Sequence, residues 1–85
     1  MAKLFKPTGE VINVSPKEKT FGLEELQGMV GGYIEIVAVG RELYVCDEEG
    51  KLKGKPINSL ATNKSGRWFD PFVGDVLVCS RREIK

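Results

Sequence analysis

The sequence predicts an α+β domain, a mostly antiparallel sheet with one main helix, its elements in the order β-β-α-β-β-α-β. Three observations predict it. Leu23, Leu26 and Val30, with Met29 beside them, fall at helical spacing and stop at the pair Gly31-Gly32. Residues 33–46 alternate between two kinds of side chain about Gly40-Arg41, as a hairpin does. Residues 76–79 are apolar throughout, as a strand covered on both faces requires. With 85 residues the chain is expected to form a single domain, residues 1–85. A domain this small buries only about 60% of its unfolded surface, so a homo-oligomer is expected.

The elements follow in order. Residues 2–14 read as a hairpin, Leu4-Phe5 and residues 11–14 flanking the turn Pro7-Thr8-Gly9. Residues 15–19 form a polar connector. The helix places Glu24 and Glu25 in its first turn, where the dipole favours negative charge, with Thr20 or Gly22 as its N-cap. Gly31 supplies the left-handed residue that ends it. Gly28 inside the last turn costs about 1 kcal/mol relative to alanine, so this helix needs tertiary packing.

A two-residue turn at Gly40-Arg41 sets Val39 opposite Glu42, Ile36 opposite Val45 and Glu35 opposite Cys46. One face then carries Ile34, Ile36, Ala38, Leu43 and Val45 and should sit under the helix. The other carries Tyr33, Glu35, Val37, Tyr44 and Cys46. That mixed face suits solvent, a subunit interface or a binding site. Residues 47–50 read as a turn, 51–53 as a short extended piece, 56–61 as one or two helical turns and 63–67 as a loop. Residues 75–80 are the last strand, and 81–85 a frayed tail.

Composition narrows the function. The net charge is +1, from 13 basic and 12 acidic residues, which disfavours both an acidic DNA mimic and general nucleic-acid binding. No apolar run reaches the roughly 20 residues of a membrane span, and the first residues lack a signal peptide's apolar core, so a cytoplasmic protein without a membrane is expected. The chain has no histidine, which removes the commonest general base and histidine-based nucleophile and metal systems. Cys46 and Cys79 lack C-x-x-C spacing and read as buried, reduced thiols. A non-enzyme is expected, with no metal and no cofactor.

Two groups of residues suit binding. Residues 51–69 hold Lys51, Lys53, Lys55, Lys64 and Arg67 and no acidic residue, interleaved with Asn58 and Asn63, with Trp68 beside Arg67. Cations and amides for phosphate and an aromatic plane for a base are what a nucleotide needs. A solvated lysine loop with a core tryptophan is the structural alternative. The second group is Tyr33, Glu35 and Tyr44, which suit a nucleobase or a dimer interface equally.

Leu26-Gln27 with residues 30–35 (VGGYIE), followed by residues 47–58 (DEEGKLKGKPIN), resembles a family of small uncharacterised domains frequent in phages, prophages and plasmids. Glu48, Glu49, Gly50, Lys51, Leu52, Gly54, Pro56 and Asn58 match its second motif, which commonly has asparagine where this chain has Asp47. Residues 73–78 are similar to its closing strand, and the resemblance covers roughly residues 22–80. It implies an accessory protein of a mobile element, in a host cytoplasm. By class, it implies a protein that sequesters a small anionic ligand, such as a cyclic nucleotide immune signal, without turnover. The alternative is a module that inhibits a host protein through the Tyr33/Glu35/Tyr44 face.

Overall fold

Gly40 adopts φ 61°, a left-handed value that glycine reaches without strain, and turns the chain in two residues. The hairpin it closes joins strands β3 (Ile34–Val39) and β4 (Glu42–Asp47). Its register is the expected one: Val39 faces Glu42, Ile36 faces Val45 and Glu35 faces Cys46. The structure, a computed structural model, describes residues 2–84. Ahead of this hairpin come β1 (Ala2–Phe5), β2 (Val11–Val14) and helix α1 (Leu23–Val30). After it come helix α2 (Ser59–Ser65), β5 (Val76–Ser80) and a 3-10 turn, Arg81–Glu83.

The five strands form one antiparallel sheet in the order β2-β1-β5-β4-β3. The last strand in sequence is thus the central one in space. Val76, Leu77, Val78 and Cys79 are all buried, which explains why that stretch shows no polar alternation.

Helix α1 lies on one face. Leu26 and Val30 pack with Leu4, Leu43, Val45 and Leu77 in a core that also takes in Ile34. Gly22 is the N-cap, and its N–H donates to Glu25 Oε1 at 3.0 Å. Gly31 ends the helix at φ 81°, its N–H donating to the Gln27 carbonyl at 2.8 Å. Ile36 and Ala38, expected under the helix, are exposed instead, because β3 is an edge strand that α1 only partly covers.

The opposite face corrects a second expectation. It is no open mixed surface but a second core, in which Tyr44, Cys46, Val76 and Val78 pack with Phe5, Ala61 and Phe72. The chain from Pro56 to Val73 crosses back over the sheet and supplies that cover, anchored by an isolated bridge between Ile57 and Val73. Tyr44 and Phe72 stack with ring centroids 5.2 Å apart at 15°. Helix α2 begins at Ser59, later than expected, because Asn58 rather than Pro56 sets its start.

Two smaller corrections follow. Residues 51–53 are turn, not extended, since Gly54 N–H bonds back to the Lys51 carbonyl and Lys53 N–H to that of Glu49. The tail through Ile84 is not frayed: Glu83 Oε1 accepts from Ser80 N–H at 2.9 Å, and Phe21 N–H donates to the Glu83 carbonyl at 2.7 Å. Among the described residues, no helix is long and apolar enough to cross a membrane.

Candidate functional site

The lysines of the basic stretch divide among three carboxylates: Lys64 meets Glu42 at 3.4 Å, and the others meet Asp47 or Asp70. At the end of β4 the Asp47 side chain is buried, and its Oδ2 meets Lys53 Nζ and Lys55 Nζ, each at 2.8 Å. Its Oδ1 accepts from Glu49 N–H at 2.9 Å. Both ammonium groups also reach the carbonyl end of α1: Lys55 donates to Val30 O at 2.7 Å, Lys53 to Gly31 O at 3.3 Å. Cations there satisfy orphan carbonyls and oppose the negative end of the helix dipole. Burial pushes the Asp47 carboxyl up, but hydrogen bonds from Lys53, Lys55 and the Glu49 amide outweigh it and hold Asp47 well below the usual carboxylate range. The bond to Asp47 in turn raises the Lys53 ammonium.

This lock accounts for one glycine of the first motif, and the crossing chain for one of the second. A Cβ on Gly32 would meet Lys53 Nζ at 2.7 Å and Asp47 Oδ1 at 2.8 Å. One on Gly50 would meet Val73 Cγ2 at 2.8 Å. The glycines therefore make room for the charge cluster and the crossing chain, not for a ligand.

The second carboxylate is Asp70. Lys51 Nζ pairs with its Oδ1, and Arg67 Nη2 with its Oδ2 at 3.1 Å. The bond from Lys51, first among several causes, holds the Asp70 carboxyl below its ordinary value. The Lys51–Asp70 pair ties the 51–52 turn to the 67–70 segment, and the Arg67–Asp70 pair braces that segment internally, beside a cavity of about 80 Å³ lined among others by Glu35, Cys46, Lys51, Arg67 and Asp70. The Arg67 guanidinium lies over the Phe69 ring at 5.2 Å and near the Phe72 ring at 5.6 Å. Its Nε is buried without an acceptor among the described residues.

The ten expected binding residues therefore scatter. Glu35, Lys51 and Arg67 converge on the cleft. Lys53 and Lys55 belong to the Asp47 lock. Tyr44 is buried under Phe72, and burial, aided by Glu42, raises its hydroxyl pKa; it cannot stack on a base. Asn58 is fully buried. Its Nδ2 donates to the Phe5 and Gly74 carbonyls, each at 2.7 Å, and its Oδ1 caps α2 by accepting from Ala61 N–H at 3.1 Å. Tyr33 is exposed but lies apart, lining a shallow groove with Gln27 and Lys53. Asn63 Oδ1 accepts from Trp68 Nε1 at 3.2 Å, which steadies an exposed indole.

Sequence reasoning does not mark Leu52, Phe69 or Asp70 as binding residues. Asp70 lies three residues after Arg67, which is a readable signal. The exposure of Leu52 and Phe69, 87% and 82%, is not, since both types ordinarily read as core.

Burial, with Glu35 and Asp47 nearby, pushes the Cys46 thiol up to about 11, so it is protonated at neutral pH. Among the described residues no cluster of three or more His, Cys, Asp or Glu could hold a metal. Cys79 lies in the other core and is likewise raised to about 11, mainly by burial.

Fold and site together define a small five-stranded α+β domain that joins its distant turns through ion pairs, one set on the buried Asp47 and one on the exposed Asp70. Residues 4–84 match the family described as a domain of unknown function (DUF3846), and the chain belongs to that family. The match takes in the N-terminal hairpin, beyond the stretch whose motifs carry the resemblance. No curated protein and no solved structure matches the chain.

Proposed function

We propose that this domain works by binding without turnover, as a protein-interaction module. Its working surface is the tip where the 51–52 turn meets the 67–70 segment, in place of the Tyr33/Glu35/Tyr44 face. One observation carries this reading. Leu52, Phe69 and Trp68 are 87%, 82% and 52% exposed on two loops joined by the Lys51–Asp70 pair, with Arg67 bracing Asp70 within its own loop. Large apolar side chains held in water on a braced support, with an arginine among them, have the composition of an interface hot spot. The partner this surface suits is a folded protein with an apolar ridge. The mobile-element setting implied by the motifs makes a host protein the expected partner.

Affinity capture with the intact chain, repeated with Leu52→Ser and Phe69→Ser, tests the reading. A partner held by the parent and lost by both variants, then rebuilt from purified components by calorimetry, supports it. A partner retained by both variants sinks it.

Sequestration of a cyclic nucleotide or other small anion remains a second reading because Lys51 and Arg67 both line the cavity. Two facts weigh against it. Each of the five cations in residues 51–67 already has a carboxylate partner. The cavity of about 80 Å³ also falls well below the roughly 300 Å³ at which small-molecule pockets begin, so it admits one phosphate-sized group. Thermal-shift measurements with cyclic dinucleotides on the parent separate the two. A rise in melting temperature that disappears in Arg67→Ala would favour the anion.

A further inference from the structure

The sheet ends on one side at β3, and the backbone of that strand is half unused. Glu48 N–H donates to the Tyr33 carbonyl at 2.8 Å, extending the β3–β4 ladder by one residue. Opposed residues in an antiparallel pair alternate between bonded and non-bonded. Glu35, Val37 and Val39 therefore spend their N–H and C=O groups on β4, and the Tyr33 carbonyl turns the same way. Ile34, Ile36 and Ala38 aim theirs outward, where no strand of this chain lies. That edge has none of the usual protections: no proline, no lysine and a single charge, Glu35. Ile36, at its centre, is 43% exposed.

We infer that β3 pairs antiparallel with β3 of a second copy of this chain, making a two-fold dimer with one continuous ten-stranded sheet. The occupant follows from register. Pairing centred on Ile36 sets Ile36 against the partner's Ile36 and Ile34 against the partner's Ala38, using all six outward groups. A centre one residue further along leaves Ile34 opposite the turn glycine. In the Ile36 register Glu35 stands opposite the partner's Val37, so no like charges are directly opposed. The two-fold keeps both α1 helices on one side and buries the two Ile36 side chains against each other. The other free edge, β2, is a four-residue strand, and its union with β3 would build an open chain of molecules instead of a closed pair.

Two measurements on the intact chain test this. Sedimentation across about 10 µM to about 1 mM should show a monomer–dimer equilibrium with nothing larger. Over the same range, amide exchange at Ile34, Ile36 and Ala38 should slow roughly tenfold or more, while exchange elsewhere on the surface stays constant. Ile36→Lys, which adds an edge charge, and Ala38→Pro, which removes one outward N–H without touching the β4 ladder, should both sediment as folded monomers. A parent that stays monomeric throughout overturns the inference. So does a dimer in which those three amides exchange freely, or an assembly that grows beyond two. The exchange measurement needs no variant, so a substitution that fails to fold leaves the test intact.

Discussion

Asp47 and Lys55 meet at 2.8 Å, and the same ammonium donates to the Val30 carbonyl at 2.7 Å. One lysine thus ties the end of strand β4 to the end of helix α1. Replacing Asp47 by asparagine should keep the bond to the Glu49 amide but lose the charge that holds both lysines. The expected cost is about 1 to 3 kcal/mol, read from denaturant unfolding.

The same carboxylate gives stability a pH dependence. Its folded pKa lies below the unfolded value of about 3.9, so its contribution is complete above that range. It is lost as the pH falls from about 4 toward the folded value. Asp47→Asn should therefore unfold with a shallower acid limb than the parent. Identical limbs would mean that other carboxylates set the acid sensitivity.

Gly31 and Gly32 are constrained for different reasons, and their variants should behave differently. Gly31→Val forces a β-branched residue to φ 81°, with an expected cost of about 1 to 3 kcal/mol. Gly32→Ala has no comparable backbone penalty but drives a methyl into the Asp47–Lys53 contact. Its cost should shrink when combined with Asp47→Ala, which a double-mutant cycle measures.

Asn58 acts as a buried keystone, not a ligand contact. Asn58→Ala leaves the Phe5 and Gly74 carbonyls without their side-chain donor and α2 without its cap, and should cost about 3 kcal/mol in stability. Chemical denaturation of the variant checks it. A midpoint equal to the parent's would return Asn58 to the list of binding residues.

Neither cysteine should react with a thiol reagent at neutral pH while the chain is folded, because both are buried and protonated. Both should react at once in denaturant. Rapid labelling of one thiol in the native protein would show that its core opens.

Short-range features were legible in the sequence because short-range chemistry decides them. Gly31 ends a helix and Gly40 turns a hairpin through their own backbone freedom, and side-chain alternation then sets the β3–β4 register. The uninterrupted apolar run in β5 marked a strand covered on both faces. Which residues stand as neighbours across long gaps in the chain was not legible, and that decided the site. Residues 51–69 look like a free cationic surface only while their partners go unseen; folding brings Asp47, Glu42 and Asp70 against those cations. The tyrosine face looks open until the 56–73 segment lays Phe72 over Tyr44. A lysine carries the same charge whether or not a carboxylate stands 2.8 Å away, so only the tertiary structure separates a binding cation from a structural one.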